Sequence, residues 1–194
     1  MTAQNHELQL GTNVLGPYLF TTLLTPLLQR TASTSPPGSV RVTWAASLAT
    51  AFAPTHGVTL DPTTNNPKHH NSPPKDYAQS KAANTLLARE YQRRIGEDSG
   101  IVSNAWNPGN LKSDLQRHQK GVEAWVTDLL VYPPELGGLT ELFAGWAPEV
   151  GKRENWGKYI GPWGRFCVLR QDVAESPVAG ELWEFCQRET GKYA

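Results

Sequence analysis

Apolar positions recur at helical spacing from Glu7 to Arg30, where Leu8, Leu15, Leu19, Leu23 and Leu27 have apolar neighbours on nearly every side. That pattern predicts one helix, largely buried. Gly16-Pro17 interrupts it, because proline cannot donate a backbone N–H, and so predicts a kink with Asn13 just before it. A Ser-, Thr- and Pro-rich loop over 31–38 precedes the β-branched run Val40, Val42, Thr43, which predicts a strand over 39–46. Phe52 to Lys75 follows neither period and holds five prolines and three of the five histidines, so it reads as one long loop. A second helix is predicted from Tyr77 to about Ile95, with Asp76 as N-cap and Gln79 as its capping-box partner. Gly100 to Trp106 has the apolar run of a buried strand and ends at the turn Asn107-Pro108-Gly109. Two more helices are predicted over Leu111–Val131 and Pro134–Trp146, then a strand over 156–160 and a helix over Val178–Glu189. The glycines Gly157, Gly161 and Gly164 read as turns.

With 194 residues the chain makes one domain with a real core. Alternating strands and helices predict an α/β domain with parallel strands near 39–46, 101–106 and 156–160. Lys plus Arg and Asp plus Glu are 18 each, which gives no basic face for nucleic acid. The apolar stretch Leu15–Leu28 is broken by Pro17, Thr21, Thr22, Thr25 and Pro26, short of the ~20 residues of a membrane span. Glu7 falls where a signal peptide would be apolar, so no leader is expected. Cys167 and Cys186 have no metal or redox spacing and predict free thiols in a reducing, cytoplasmic compartment. The cluster His56, Asp61, His69 and His70 matches no metal-ligand spacing, and no metal is expected.

Candidate chemistry sits in Asp76-Tyr77-Ala78-Gln79-Ser80-Lys81. Residues four apart on a helix share a face, so Tyr77 and Lys81 point into the same space. A fixed ammonium near a phenol favours the phenolate and would bring its pKa from ~10 toward the range of acid/base catalysis. A tyrosine and a lysine at this spacing also arise by chance as a packed ring and a solvated ammonium, and the pair alone decides nothing.

Four segments in order change that: Gln9-Leu10-Gly11-Thr12-Asn13-Val14-Leu15-Gly16, Arg41-Val42-Thr43-Trp44-Ala45-Ala46-Ser47, Tyr77-Ala78-Gln79-Ser80-Lys81 and Asn107-Pro108-Gly109-Asn110-Leu111-Lys112-Ser113. Together they resemble the C-terminal part of a short-chain dehydrogenase/reductase, most closely the fungal, retinol-dehydrogenase-like branch. The resemblance implies the C-terminal portion of a doubly wound, Rossmann-type sheet over 1–194, with a long loop at about 52–75. It implies NADP- or NAD-dependent interconversion of a carbonyl and an alcohol on a small-molecule substrate, in fungal secondary metabolism, by a homodimer built on the helices near 7–30 and 77–95. Tyr77 would give the proton, Lys81 would lower its pKa and hold the ribose, Ser47 would polarise the carbonyl, and Asn13 would hold a relay water. Asn13 would also satisfy the backbone disturbed by Pro17, and both roles can hold together. Pro108, Gly109, Leu111 and Ser113, with Tyr77 and Lys81, would contact the nicotinamide end of the cofactor. Ala45-Ala46 departs from the usual valine and serine of the serine segment.

The family's pyrophosphate site is a strand, a glycine-rich turn and a helix N-terminus, and no such run occurs in the sequence. Two readings follow. The chain is the catalytic part of an oxidoreductase, or it is a non-catalytic remnant that acts as a partner subunit or has no activity alone.

Overall fold

Among the described residues, four strands make one sheet in the order β1-β2-β3-β4: β1 (Val40–Ala45), β2 (Ile101–Trp106), β3 (Tyr159–Gly161) and β4 (Arg165–Cys167). The computed structural model describes residues 1–112 and 131–194. β1 and β2 run parallel in register from Val40↔Ile101 to Ala45↔Trp106, and β3 continues the sheet in parallel through Ala105↔Tyr159. β4 returns antiparallel, Gly161 pairing with Arg165, and was not foreseen. Its pairing depends on Gly164, whose φ of +74° closes the tight turn.

The long first helix, α1, has three parts: a turn Leu8–Leu10, a π-helical segment Gly11–Leu15 and an α-helical run Gly16–Ala32. The disturbance expected at Gly16-Pro17 is this π segment, in which Gly16 N–H bonds five residues back to Gly11 O. Asn13 lies inside it. The expectation of a largely buried helix needs correction, since Phe20, Leu23 and Leu27 are 67%, 53% and 48% exposed. Only the side of α1 turned to the sheet, to the helix carrying Tyr77 and to the C-terminal helix is covered, with Val14, Leu15 and Tyr18 buried there.

The helix carrying Tyr77, α2 (Pro73–Ile95), starts earlier than expected. Ser72 is its N-cap residue and prolines fill its first positions, where a missing N–H costs nothing and the fixed φ suits the helix. Asp76 is therefore not the N-cap. It sits a turn inside, where its carboxylate accepts from His70 N at 2.8 Å and Ser72 N at 3.3 Å. Gln79 is not a capping-box partner either. It is buried, accepts from Thr59 N at 2.9 Å, donates to Lys68 O at 2.9 Å and meets His70 Nε2 at 3.0 Å. The long loop is thus tied down to α2 from within, and Leu60 and Pro67 bridge across it.

The remaining α-helices among the described residues are α3 (Pro134–Trp146), α4 (Gln171–Ala174) and α5 (Ala179–Thr190). The helix expected over Leu111–Val131 lies almost wholly outside the described residues, as does Ser113. Strand alternation divides the core. Trp44, Ile101 and Ala105 face α1, α2 and α5 together with Leu86, Leu87, Tyr91, Leu182 and Phe185. Val102, Trp106 and Ile160 face the other way, toward Ala144 of α3 and Val150. Helices cover both faces of a mainly parallel sheet, so its ligand side is the carboxyl edge of β1, β2 and β3.

Candidate active site

The carboxyl end of β1 gathers the predicted residues. Ala45, its last residue, accepts through its carbonyl from Lys81 Nζ at 3.1 Å and Asn84 Nδ2 at 3.0 Å. Lys81 and Asn84 can share that acceptor because three residues along α2 put them on one face. Lys81 Nζ also lies 5.7 Å from the centroid of the Tyr77 ring, so the pair expected at i and i+4 is together in space. Burial holds the Lys81 ammonium below the ordinary lysine value.

Ser47 follows β1 by two residues and caps the 3-10 turn Leu48–Phe52, its hydroxyl oxygen accepting from Ala49 N at 3.2 Å. A serine hydroxyl has a donor proton beside its two lone pairs, so this cap leaves its O–H able to donate. The Ser47 carbonyl accepts from Tyr159 Oη at 3.1 Å, which ties the segment to β3; burial pushes the Tyr159 phenol up to about 12. The backbone beyond the turn is held from outside by Arg170, whose guanidinium donates to Ala51 O, Ala53 O and Pro54 O and pairs with Asp172.

Asn13 reaches α2 rather than its own helix: its Nδ2 donates to Ser80 Oγ at 3.0 Å, and Ser80 Oγ donates to Tyr77 O at 2.9 Å. Asn13 is therefore coupled to the helix segment that presents Tyr77 and Lys81. The reading of Asn13 as a patch on the backbone near Pro17 is replaced by this contact between helices.

At the end of β2, Asn107 N donates to Ile160 O at 2.8 Å and Asn107 Oδ1 accepts from Gly109 N at 3.0 Å, which curls Pro108 and Gly109 over the strand ends. Gly109 has a φ of +91°, and a Cβ there would stand 3.2 Å from Pro162 Cγ, so glycine is needed for both backbone and space. Leu111 follows in a bridge with Tyr132.

Ser80, Asn84 and Tyr159 were missed. Asn84 was detectable, three residues beyond Lys81 on the same face; the role of Tyr159 was not, because it depends on β3 lying beside the serine segment. A cavity of about 420 Å³ opens beside β1, lined by Phe20, Leu24 and Leu28 of α1, Thr43 of β1, and Lys81 and Asn84 of α2.

No family-wide sequence profile matches the chain. Several curated fungal proteins do. A short-chain dehydrogenase/reductase of Phomopsis amygdali is 38% identical over 209 residues, covering 99% of this chain and 60% of its own length. The short-chain dehydrogenase/reductase sthC of Phaeosphaeria nodorum is 41% identical over 161 residues, 82% of this chain and 51% of its own length. That named pkfC in Emericella nidulans is 36% identical, covering 99% of this chain and 62% of its own length. An uncharacterized protein from Mycobacterium paratuberculosis, known from its crystal structure, superposes with a TM-score of 0.62 over 98% of this chain and 61% of that one, and at 24% identity it speaks for the fold alone. The chain spans about half to three fifths of the length of these curated relatives. On this similarity and on its mainly parallel, helix-covered sheet, the chain belongs to the short-chain dehydrogenase/reductase family.

Proposed function

We propose that these residues form the catalytic part of an oxidoreductase that interconverts a carbonyl and an alcohol with NADP or NAD, in which Tyr77 transfers the proton. The supporting observation is the meeting of Tyr77, Lys81 and the carboxyl end of β1, two residues from Ser47. Lys81 has three ammonium donors and spends one on Ala45 O, leaving two for the hydroxyls of a ribose. Its charge stabilises the Tyr77 phenolate left after proton transfer. Ser47 donates its hydroxyl proton to the substrate oxygen and is held for that by Ala49 N and the Tyr159 bond to its carbonyl. Asn13 positions the helix turn of Tyr77 through Ser80, and a relay water at Asn13 is part of the proposal.

This donor set suits the nicotinamide end of the cofactor, with Pro108, Gly109, Leu111 and Ser113 beside it. When bound, the cofactor supplies the hydride. The phosphate contacts of the whole dinucleotide belong to the rest of the family's length, so the 194 residues alone are expected to bind NADPH too weakly to turn over. The exposed side chains Leu23 and Leu27 on α1 favour a homodimer through that helix, and the two free cysteines favour the cytoplasm. No helix among the described residues is long and apolar enough to cross a membrane.

The test joins the chain to the part of the Phomopsis amygdali relative outside the matched region and follows NADPH oxidation with aldehydes and ketones. Tyr77→Phe keeps the ring and removes the proton; a loss of at least ~100-fold in kcat is expected. An unchanged kcat would remove Tyr77 from the chemistry.

A further inference from the structure

Behind the Ser47 turn lies a second cavity, of about 250 Å³, between the 3-10 turn Leu48–Phe52 and the β3-β4 hairpin. Neither Tyr77 nor Lys81 lines it. Leu48, Ala51, Pro162 and Leu169 give it apolar walls, and its volume falls just under the ~300–1,000 Å³ of drug-sized ligand sites, so a compact and uncharged ligand suits it. Thr50, Tyr159 and Cys167 bring polar groups to it. Thr50 is 3% exposed, yet its Oγ1 has no hydrogen-bond partner. The Thr50 hydroxyl and the Cys167 thiol both lie near the Tyr159 phenol, but Thr50 is outside hydrogen-bond geometry with it, and the phenol O–H is spent on Ser47 O. A buried O–H with no acceptor is costly, and a ligand oxygen that accepts from it removes the cost. Cys167 is half-buried, and Gly161 opposite leaves the room that its sulfur occupies, since a Cβ there would overlap Cys167 Sγ.

We propose that this cavity binds a compact apolar enone, a compound whose C=C bond is conjugated to a carbonyl, with the carbonyl oxygen accepting from Thr50 and Cys167 Sγ adding to the far carbon of the C=C bond. The sulfur forms the new S–C bond as its thiolate, the π electrons of C=C move onto the carbonyl oxygen as an enolate, and the proton that left the thiol returns from water to the carbon beside the carbonyl. Nothing is oxidised or reduced overall, and no co-reactant is needed. Thr50 donates to the oxygen as charge grows on it. Arg165, two residues before Cys167 on the same face of β4, lines the cavity and adds a positive charge that stabilises the enolate. The class of ligand follows from what surrounds the thiol. A disulfide is not open to it, because Cys186 is the other cysteine of the chain and is fully buried, with burial pushing its thiol up. A metal is not favoured either, since no group of three metal-ligating side chains occurs among the described residues. A small carbon electrophile with one oxygen acceptor matches the soft sulfur, the apolar walls and the unpaired Thr50 hydroxyl together.

The experiment treats the 194-residue chain with cyclohexenone and locates the adduct by peptide mass mapping. A single adduct on Cys167 is expected, at a rate that levels off as the enone concentration rises, because binding precedes bond formation. Cyclohexanone has the same carbonyl without the C=C bond and is expected to slow the reaction by competition. Thr50→Val keeps the shape of the side chain and removes the hydroxyl; it is expected to slow the adduct about tenfold, the worth of one hydrogen bond. The melting temperature of that variant should stay level or rise, which a threonine needed only for the fold would not allow. A rate proportional to enone concentration throughout, no protection by cyclohexanone, Thr50→Val reacting at the parent's rate, or an adduct on Cys186 in place of Cys167 overturns the proposal. Saturation and protection are read on the unaltered chain and decide the matter even if Thr50→Val does not fold. All rates are read without NADPH, so failure of the Tyr77 chemistry leaves them unchanged.

Discussion

Replacing Gln79 by alanine tests whether the long loop is held by α2 or merely lies against it. Gln79 is 5% exposed and makes three side-chain contacts to the loop: Thr59 N at 2.9 Å, Lys68 O at 2.9 Å and His70 Nε2 at 3.0 Å. A net ~0.5–1.5 kcal/mol per hydrogen bond gives about 1.5–4.5 kcal/mol. Against this stand the side-chain freedom a glutamine regains, up to ~1.5–2 kcal/mol, and the access of water to the exposed Lys68. The expected loss is about 2 kcal/mol, which for a chain of this size lowers Tm by ~4–8 °C. The assay is thermal and urea unfolding of Gln79→Ala beside Gln79→Met, which retains the volume without the hydrogen bonds. Limited proteolysis should cut first within 53–72. If both variants melt within a degree of the parent, the loop is not held by these bonds and the account of α2 as its anchor is wrong.

Ser103→Ala strands two buried groups, since Ser103 Oγ accepts from Trp44 Nε1 at 3.0 Å and donates to Ala88 O at 2.7 Å; a loss of about 2–4 kcal/mol in urea unfolding is expected. Gly109→Ala forces a Cβ onto a φ of +91° and against Pro162, and should cost about 1–2 kcal/mol by the same measurement. Arg170 and the His56 N–H hold the Asp172 carboxyl down to about 2. Its folded value lies below the unfolded ~3.9, so this support of the loop is full above that value and is lost as pH falls through about 2. Asp172→Asn should flatten the acid dependence of amide exchange at His56 between those limits, and an unchanged profile would show that the clamp carries none of it.

The placement of Tyr77 and Lys81 in the candidate site was legible in the sequence because it depends on local spacing. Tyr77 and Lys81 share a face whatever the helix packs against, and β1, β2 and α3 formed where their apolar periods and the Pro-Glu start placed them. The helix boundary at Tyr77 was misjudged because two prolines, which read as loop residues, also suit a helix's first turn. What the tertiary structure alone decided are relations between distant residues. Asn13 turns to Ser80, 67 residues away, Tyr159 fastens the carbonyl of Ser47, and Arg170 holds the backbone after it. The half-exposed face of α1 belongs to the same class, since a continuous apolar pattern says that a surface wants cover but not which neighbour provides it. Local spacing fixes which groups can meet along one helix or strand, whereas the order of strands fixes which ends of the chain are brought side by side, and that order is settled by packing across the whole sheet.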